Sequence, residues 1–185
     1  MCYILNMAII IFDFDDTLFD TKRFNTDIVE RFVLHGVDRE LARQAYHDTK
    51  SNMGNYTLNG HITTLRDVHS KEIPKDFYDW FETLDLESYV LPDVGSLLVE
   101  LGQNHKLILL TKGENDFQNI KVTRSDLAKH FQEIHITPTQ KEIFLADKIF
   151  DQEVIFINDK QDENQKIKEN FPHFKVSQKY EKGDH

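Results

Sequence analysis

The chain has 185 residues, of which 39% are hydrophobic and 29% charged, enough for one domain with a sizeable core. Asp and Glu outnumber Lys and Arg by 32 to 22, and the net charge of −10 disfavours nonspecific binding to nucleic acid or to an anionic membrane. A lone cysteine, Cys2, excludes a disulfide framework and a cysteine-rich zinc site, and no apolar run approaches the ~18 residues that span a bilayer.

Met1 to Asn6 is too short for a secretory signal, Met7 is available as an alternative start, and a cytoplasmic protein is expected. Ile9-Ile10-Ile11-Phe12 then reads as a strand buried on both faces, as in a parallel sheet. It runs into a cluster of carboxylates, Asp13, Asp15, Asp16 and Asp20. Asp13 and Asp15 are two apart, so both point to the same side while the chain stays extended. Like charges held close raise each other's pKa, a cost that a bound cation offsets.

Beyond Asp20 the pattern becomes helical. Phe24, Ile28 and Phe32 recur every fourth residue, with Asn25 or Thr26 as N-cap and Gly36 as a stop. Asp38 can cap a second helix carrying Leu41, Ala42, Ala45 and Tyr46. Residues 51–60 are rich in Asn and Gly and read as a loop. Its Asn52, Asn55, Tyr56 and Asn59, with His61, either face a site or form an inert surface. Ile62, Leu65, Arg66 and Val68 suggest a short helix. Pro74 suits the first turn of another, with Phe77, Trp80, Phe81 and Leu84 on one face as the core of a small bundle. Residues 21–90 therefore form a helical insertion without a strand signal.

From Leu91 helix and strand alternate. Pro92 opens a helix with Val94, Leu97, Leu98 and Leu101 inward and Gly102 at its close. Leu107 to Leu110 is a strand ending at Thr111-Lys112-Gly113. A mostly helical stretch from Asp116 to Phe131 precedes a short strand, Ile134 to Ile136. Pro138 leads into a helix with Ile143, Phe144, Ala146 and Ile149. Val154 to Ile157 is a further buried strand, ending at Asn158-Asp159. A polar helix through Lys168, a last strand at Phe174 to Val176, and a frayed charged tail from Lys179 to His185 complete the chain.

This alternation implies an α/β fold: a three-layer, Rossmann-like parallel sheet with helices on both faces. Right-handed crossovers put every strand's carboxyl end on one edge, where ligands bind. Asp13, Asp15, Thr111 and Asp159 all end buried strands, so they should converge on one crevice.

Asp13-x-Asp15-x-Thr17 at the end of a buried first strand resembles the signature motif of the haloacid-dehalogenase superfamily, most of whose members are phosphatases. The resemblance runs through nearly the whole chain. It implies a catalytic core of residues 1–20 and 91–185, with residues 21–90 as an inserted helical cap. By that resemblance Asp13 attacks phosphorus, while Asp15 protonates the leaving group and then activates water on the aspartyl-phosphate. Thr17 steadies the turn and lies at the substrate. Thr111 matches the second motif, its hydroxyl and the following backbone N–H groups holding phosphoryl oxygens with help from Gly113 and the helix beyond. The third-motif lysine is matched by Lys141, with Lys148 as the alternative. The acidic pair of the fourth motif is matched by Asp159 and Glu163, with Asn158 and Asp162 nearby.

The implied metal site combines Asp13, Asp15 (through its backbone carbonyl), Asp159 and Glu163, and an oxygen-only site of this kind suits Mg2+. The implied activity is Mg2+-dependent hydrolysis of a small phosphorylated metabolite, without a nucleic-acid or membrane partner. Within the superfamily the competing activities are a metal-independent dehalogenase and a phosphomutase. Outside it, a receiver-like phospho-acceptor domain places similar residues on such a sheet edge, but lacks so long an insertion.

Overall fold

The structure, a computed structural model, describes residues 7–178; Cys2, the segment up to Asn6 and the tail from Lys179 lie outside the described residues. Five parallel strands form one sheet in the order β3-β2-β1-β4-β5. They are β1 (Ile9–Phe12), β2 (Lys106–Lys112), β3 (Glu133–Thr137), β4 (Val154–Asn158) and β5 (Lys175–Gln178). β1 lies at the centre, with Phe12 in register with Leu109 on one side and Ile157 on the other. All four of its residues are buried because helices cover both faces.

Side-chain alternation divides the core. Ile10 and Phe12 point into a large apolar cluster, and Ile9 and Ile11 into a smaller one on the opposite face. The smaller cluster packs Leu145 of α7 (Lys141–Leu145) and Ile167 of α8 (Gln161–Asn170) against Val154 and Phe156. The larger is continuous from the sheet into the four helices of the insertion: α1 (Thr21–Leu34), α2 (Arg39–Met53), α3 (Leu58–Asp67) and α4 (Lys75–Thr83). On that face it also takes in Val94 and Leu98 of α5 (Val94–Gly102) and Phe117 and Val122 of α6 (Asn115–Arg124).

Several local expectations shift. α1 starts earlier than Asn25 or Thr26, because the Asp20 carboxylate accepts the Arg23 N–H and caps it directly after the acidic cluster. Gly36 follows its end at φ +81°, a conformation that only glycine adopts without strain. The expected loop 51–60 shrinks to residues 54–57: α2 continues to Met53, Gly54 closes it in the left-handed region, and Thr57 caps α3 through the Gly60 N–H. Leu97 is 43% exposed, not inward. The helix after Pro138 is only α7, and its expected apolar members Ile143 and Ile149 face solvent at 59% and 91% exposure.

The two ends of the insertion are tied together. Asp20 N–H donates to the Tyr89 carbonyl at 2.7 Å, Leu91 N–H donates to Leu18 at 2.9 Å, and Phe19 bridges antiparallel to Val90. Inside the insertion, Phe32 is fully buried and stacks on Phe77 with ring centroids 4.3 Å apart. Phe32→Ala should lower stability by about 3–5 kcal/mol, the range for an aromatic truncation that leaves a cavity. Urea unfolding of the variant measures this.

Candidate active site

The carboxyl ends of β1, β2 and β4 bring the acidic and hydroxyl residues to one crevice, as parallel strands require. The arrangement has two centres, one around Asp13 and one around Asp15.

Asp13 is 2% exposed and receives the Lys141 ammonium at 2.6 Å on Oδ1. Lys141 begins α7 and is itself 1% exposed; its Nζ also lies 2.8 Å from Glu163 Oε2. Burial pushes the Asp13 carboxyl up, against the pull of Lys141. Its second oxygen, Oδ2, is buried without a hydrogen-bond donor. Such an orphaned atom is costly unless a ligand satisfies it. Lys148 instead stands over the Phe144 ring, 4.8 Å from its centroid, so of these two lysines Lys141 is the one at Asp13.

Asp159 follows β4 and is tied to the first loop by Thr17. The Asp159 backbone N–H donates to the Thr17 hydroxyl at 3.1 Å, and that hydroxyl lies 3.5 Å from the Asp159 carboxylate. Thr17 is thus engaged in positioning Asp159. Burial first, and the charge of Asp13 second, push the Asp159 carboxyl up to about 6. A raised Asp159 and an orphaned Asp13 oxygen form an electrostatic environment that fits a cation. Among the described residues no three His, Cys, Asp or Glu side chains cluster as a metal site. Glu163 departs from the expected ligand set, because its carboxylate is taken up by Lys141, Lys160 and the Asn158 amide.

The Asp15 centre contains residues that the sequence did not reveal. The Lys121 ammonium, 4% exposed, pairs with Asp15 Oδ1. Thr21 donates to the same oxygen at 2.5 Å, and the Gln118 amide donates to Oδ2 at 2.7 Å. Gln118 also donates to the Thr111 hydroxyl at 2.9 Å and accepts from Lys121 at 2.9 Å. Rings of Phe14, Phe19, Phe24 and Phe117 surround the Lys121 ammonium at 5.3 to 5.8 Å, all within cation–π range. Burial alone would raise Asp15, but Lys121, with the hydrogen bonds from Lys121, Thr21 and Gln118, outweighs it and holds this carboxyl at about 2. Gln118 and Lys121 are three apart on α6, a spacing that puts both on one helix face and was the one signal available.

Two expectations for phosphoryl binding are corrected. The Gly113 N–H donates to the Thr137 carbonyl at 3.0 Å, extending the β2–β3 ladder by one residue, and is spent there. Glycine is nonetheless required, since a Cβ at 113 would meet Gln118 Cγ at 2.4 Å. The N-terminus of α6 is closed as well: the Glu114 carboxylate accepts the Asp116 and Phe117 N–H groups. Positive charge at this edge therefore comes from lysine side chains. In the insertion, Asn55 and Tyr56 line the crevice, whereas His61 is fully buried between the Ala42 carbonyl and the Tyr56 hydroxyl, its pKa lowered by burial to about 4.

A family model for haloacid dehalogenase-like hydrolases matches residues 10–166, most of the chain. The chain belongs to this family. No curated protein matches it closely. Among solved structures, a haloacid dehalogenase-like hydrolase of Burkholderia xenovorans is similar with TM-score 0.79 and 17% identity, over 92% of this chain and 83% of that one. The HAD-hydrolase YfnB of Bacillus subtilis, bound to magnesium, aligns with TM-score 0.55 at 17% identity, over 84% and 79%. An L-2-haloacid dehalogenase of Xanthobacter autotrophicus aligns with TM-score 0.62 at 18% identity, over 93% and 77%. These likenesses carry the fold, which this haloacid dehalogenase-like hydrolase shares. Among the described residues no helix is long and apolar enough to cross a membrane.

The Asp15–Lys121 pair makes stability depend on acid. Asp15 ionises near 2 in the fold against an ordinary 3.8, so its contribution is complete above about pH 4 and lost as the pH falls toward 2. Lys121→Met should remove that segment of the stability–pH curve and cost about 3 kcal/mol at neutral pH, the low end for breaking a buried pair. Urea unfolding of both proteins from pH 2 to pH 7 checks the two effects together.

Proposed function

We propose that this protein is a Mg2+-dependent phosphatase that hydrolyses a small phosphorylated metabolite through an aspartyl-phosphate on Asp13. The observation that carries the reading is the buried Asp13 carboxylate, fixed on one oxygen by Lys141 and left unsatisfied on the other. A nucleophile needs an uncommitted lone pair in a fixed direction, and Lys141 supplies both the direction and charge neutralisation for an incoming phosphoryl group.

Asp13 attacks phosphorus, the ester P–O bond breaks, and the leaving oxygen takes a proton from Asp15. Water then attacks the aspartyl-phosphate, Asp15 accepts its proton, and Asp13 is regenerated. The ion pair with Lys121 keeps Asp15 in the basic form that the second step needs. Donating a proton in the first step requires Asp15 to part from Lys121 and first to take up a proton from solvent, the proton that it recovers from water in the second step. Asp13 and Asp159, with the Asp15 backbone carbonyl, would hold Mg2+. The ion when bound neutralises charge on the phosphoryl oxygens. Thr111, held by Gln118, is placed to orient those oxygens.

Dehalogenation is the competing reading, since several structural neighbours are dehalogenases. A departing halide needs no proton, so Asp15 would have no leaving group to protonate, and no phosphoryl group would call for a cation at Asp159. Phosphoryl transfer to a second position of the same molecule, as in a mutase, is distinguished by its products. The helices of residues 21–90 that line the crevice serve in this reading as a substrate-selecting cap.

Asp13→Asn should abolish turnover and trap no phosphate. Asp15→Asn should retain slow activity on an activated aryl phosphate, reduced about 10²–10⁴-fold, and accumulate labelled phosphate on Asp13. Rapid quench with labelled substrate and peptide mapping gives the answer, and label on another residue would overturn these roles. Chelation, or Asp159→Ala, should likewise eliminate most activity in a phosphate-release assay. Full activity under either condition would remove the metal from the mechanism.

A further inference from the structure

A cavity of about 280 Å³ opens beside Asp15, between the insertion and the carboxyl edge of the sheet. Its walls carry five lysines and three acids, an excess of positive charge in a chain whose net charge is −10. Three of those lysines already face carboxylates. Lys121 pairs with Asp15, Lys160 with Glu163, and the charge of Lys22 lies against Asp16.

Lys50 and Lys112 are different. Neither ammonium has an ion pair or hydrogen bond among the described residues, although both line the cavity. Lys50 comes from the last turn of α2 in the insertion, and Lys112 from the end of β2 in the sheet. Two positive groups without counter-charges thus enter one small polar space from separate parts of the fold. The phosphoryl end needs neither of them, since Lys141 stands at Asp13. At this size the cavity suits a small metabolite.

We propose that the substrate is doubly acidic: a phosphomonoester whose alcohol half carries a second anionic group, bound by Lys50 and Lys112. The second group is a carboxylate or a further phosphate; both offer the oxygen acceptors that ammonium groups bind. Asn55 and Tyr56, on the same wall as Lys50, would contact the uncharged part of the molecule. This inference rests on the phosphatase reading and narrows it.

The test compares phosphoglycolate, ethanediol bisphosphate and ethyl phosphate, which share a two-carbon alcohol half and differ in the second group. The native enzyme, assayed with Mg2+, should prefer at least one diacid over ethyl phosphate by about tenfold or more in kcat/KM. A charge-assisted hydrogen bond is worth that much. The carboxylate and bisphosphate arms identify which acid is taken. Lys50→Gln and Lys112→Gln should each reduce the diacid-to-ethyl ratio by about tenfold, mainly through KM, and Lys50→Arg should restore it.

The same three compounds are titrated calorimetrically into Asp13→Asn protein, with and without Lys50→Gln. Absence of hydrolysis with every ester, together with diacid-selective binding that Lys50→Gln removes, would overturn the phosphatase reading and keep the anionic subsite. Equal preference for ethyl phosphate and the diacids, in turnover or in binding, would overturn the subsite, as would ratios unchanged in both glutamine variants.

Discussion

A single ammonium group, that of Lys141, holds the carboxyl edge of the sheet together. It is 1% exposed and lies between Asp13 and Glu163, with Asn158 at 3.5 Å. Any one of these charges buried alone would cost several kcal/mol. Together they compensate, and the compensation depends on β1, α7 and α8 reaching the same place. The trio thus ties the end of β1 to the first turns of α7 and α8, whose Leu145 and Ile167 share an apolar cluster with Ile9 and Ile11. It also fixes which oxygen of Asp13 is committed and which is left without a partner.

The second buried lysine works by another means. Lys121 is enclosed by four phenylalanine rings and touches one carboxylate, so its charge is balanced partly by ring quadrupoles. Those rings come from the first loop, the insertion and α6. The aromatic packing that joins the insertion to the sheet therefore also sets the surroundings of Asp15. Stability and the ionisation of Asp15 are coupled here through the same side chains.

Sequence reading went furthest where chemistry and periodicity agreed. Buried strands declare themselves through runs such as Ile9 to Phe12, and strand topology then places Asp13, Thr111 and Asp159 on one edge without further information. It fell short where the decisive partner was remote. Nothing local to Asp15 announces Lys121, which lies 106 residues away and looks like any solvated helix lysine until the fold buries it. Gly113 misled in the same way. A glycine beside a helix start suggests an anion cradle, but the backbone N–H was claimed by Thr137 and the helix start by Glu114. Element ends were displaced by caps: Asp20 outcompeted Asn25 and Thr26, and Thr57 began a helix inside an expected loop.

The stitched entry and exit of the insertion bear on how such a chain can change. Residues 20 and 89 are hydrogen-bonded neighbours, so the intervening helices form a closed excursion whose ends stay put whatever its length. Loop-closure entropy rises only with the logarithm of length, so lengthening or shortening the excursion is thermodynamically gentle at that doorway. The resistance lies elsewhere. Phe14, Phe19 and Phe117 belong to the apolar cluster that the excursion covers, and a shorter replacement would leave them wet. Descendants of this chain are therefore free to remodel the outer helices, but the helices lying on those rings can be exchanged only for segments equally apolar on that side.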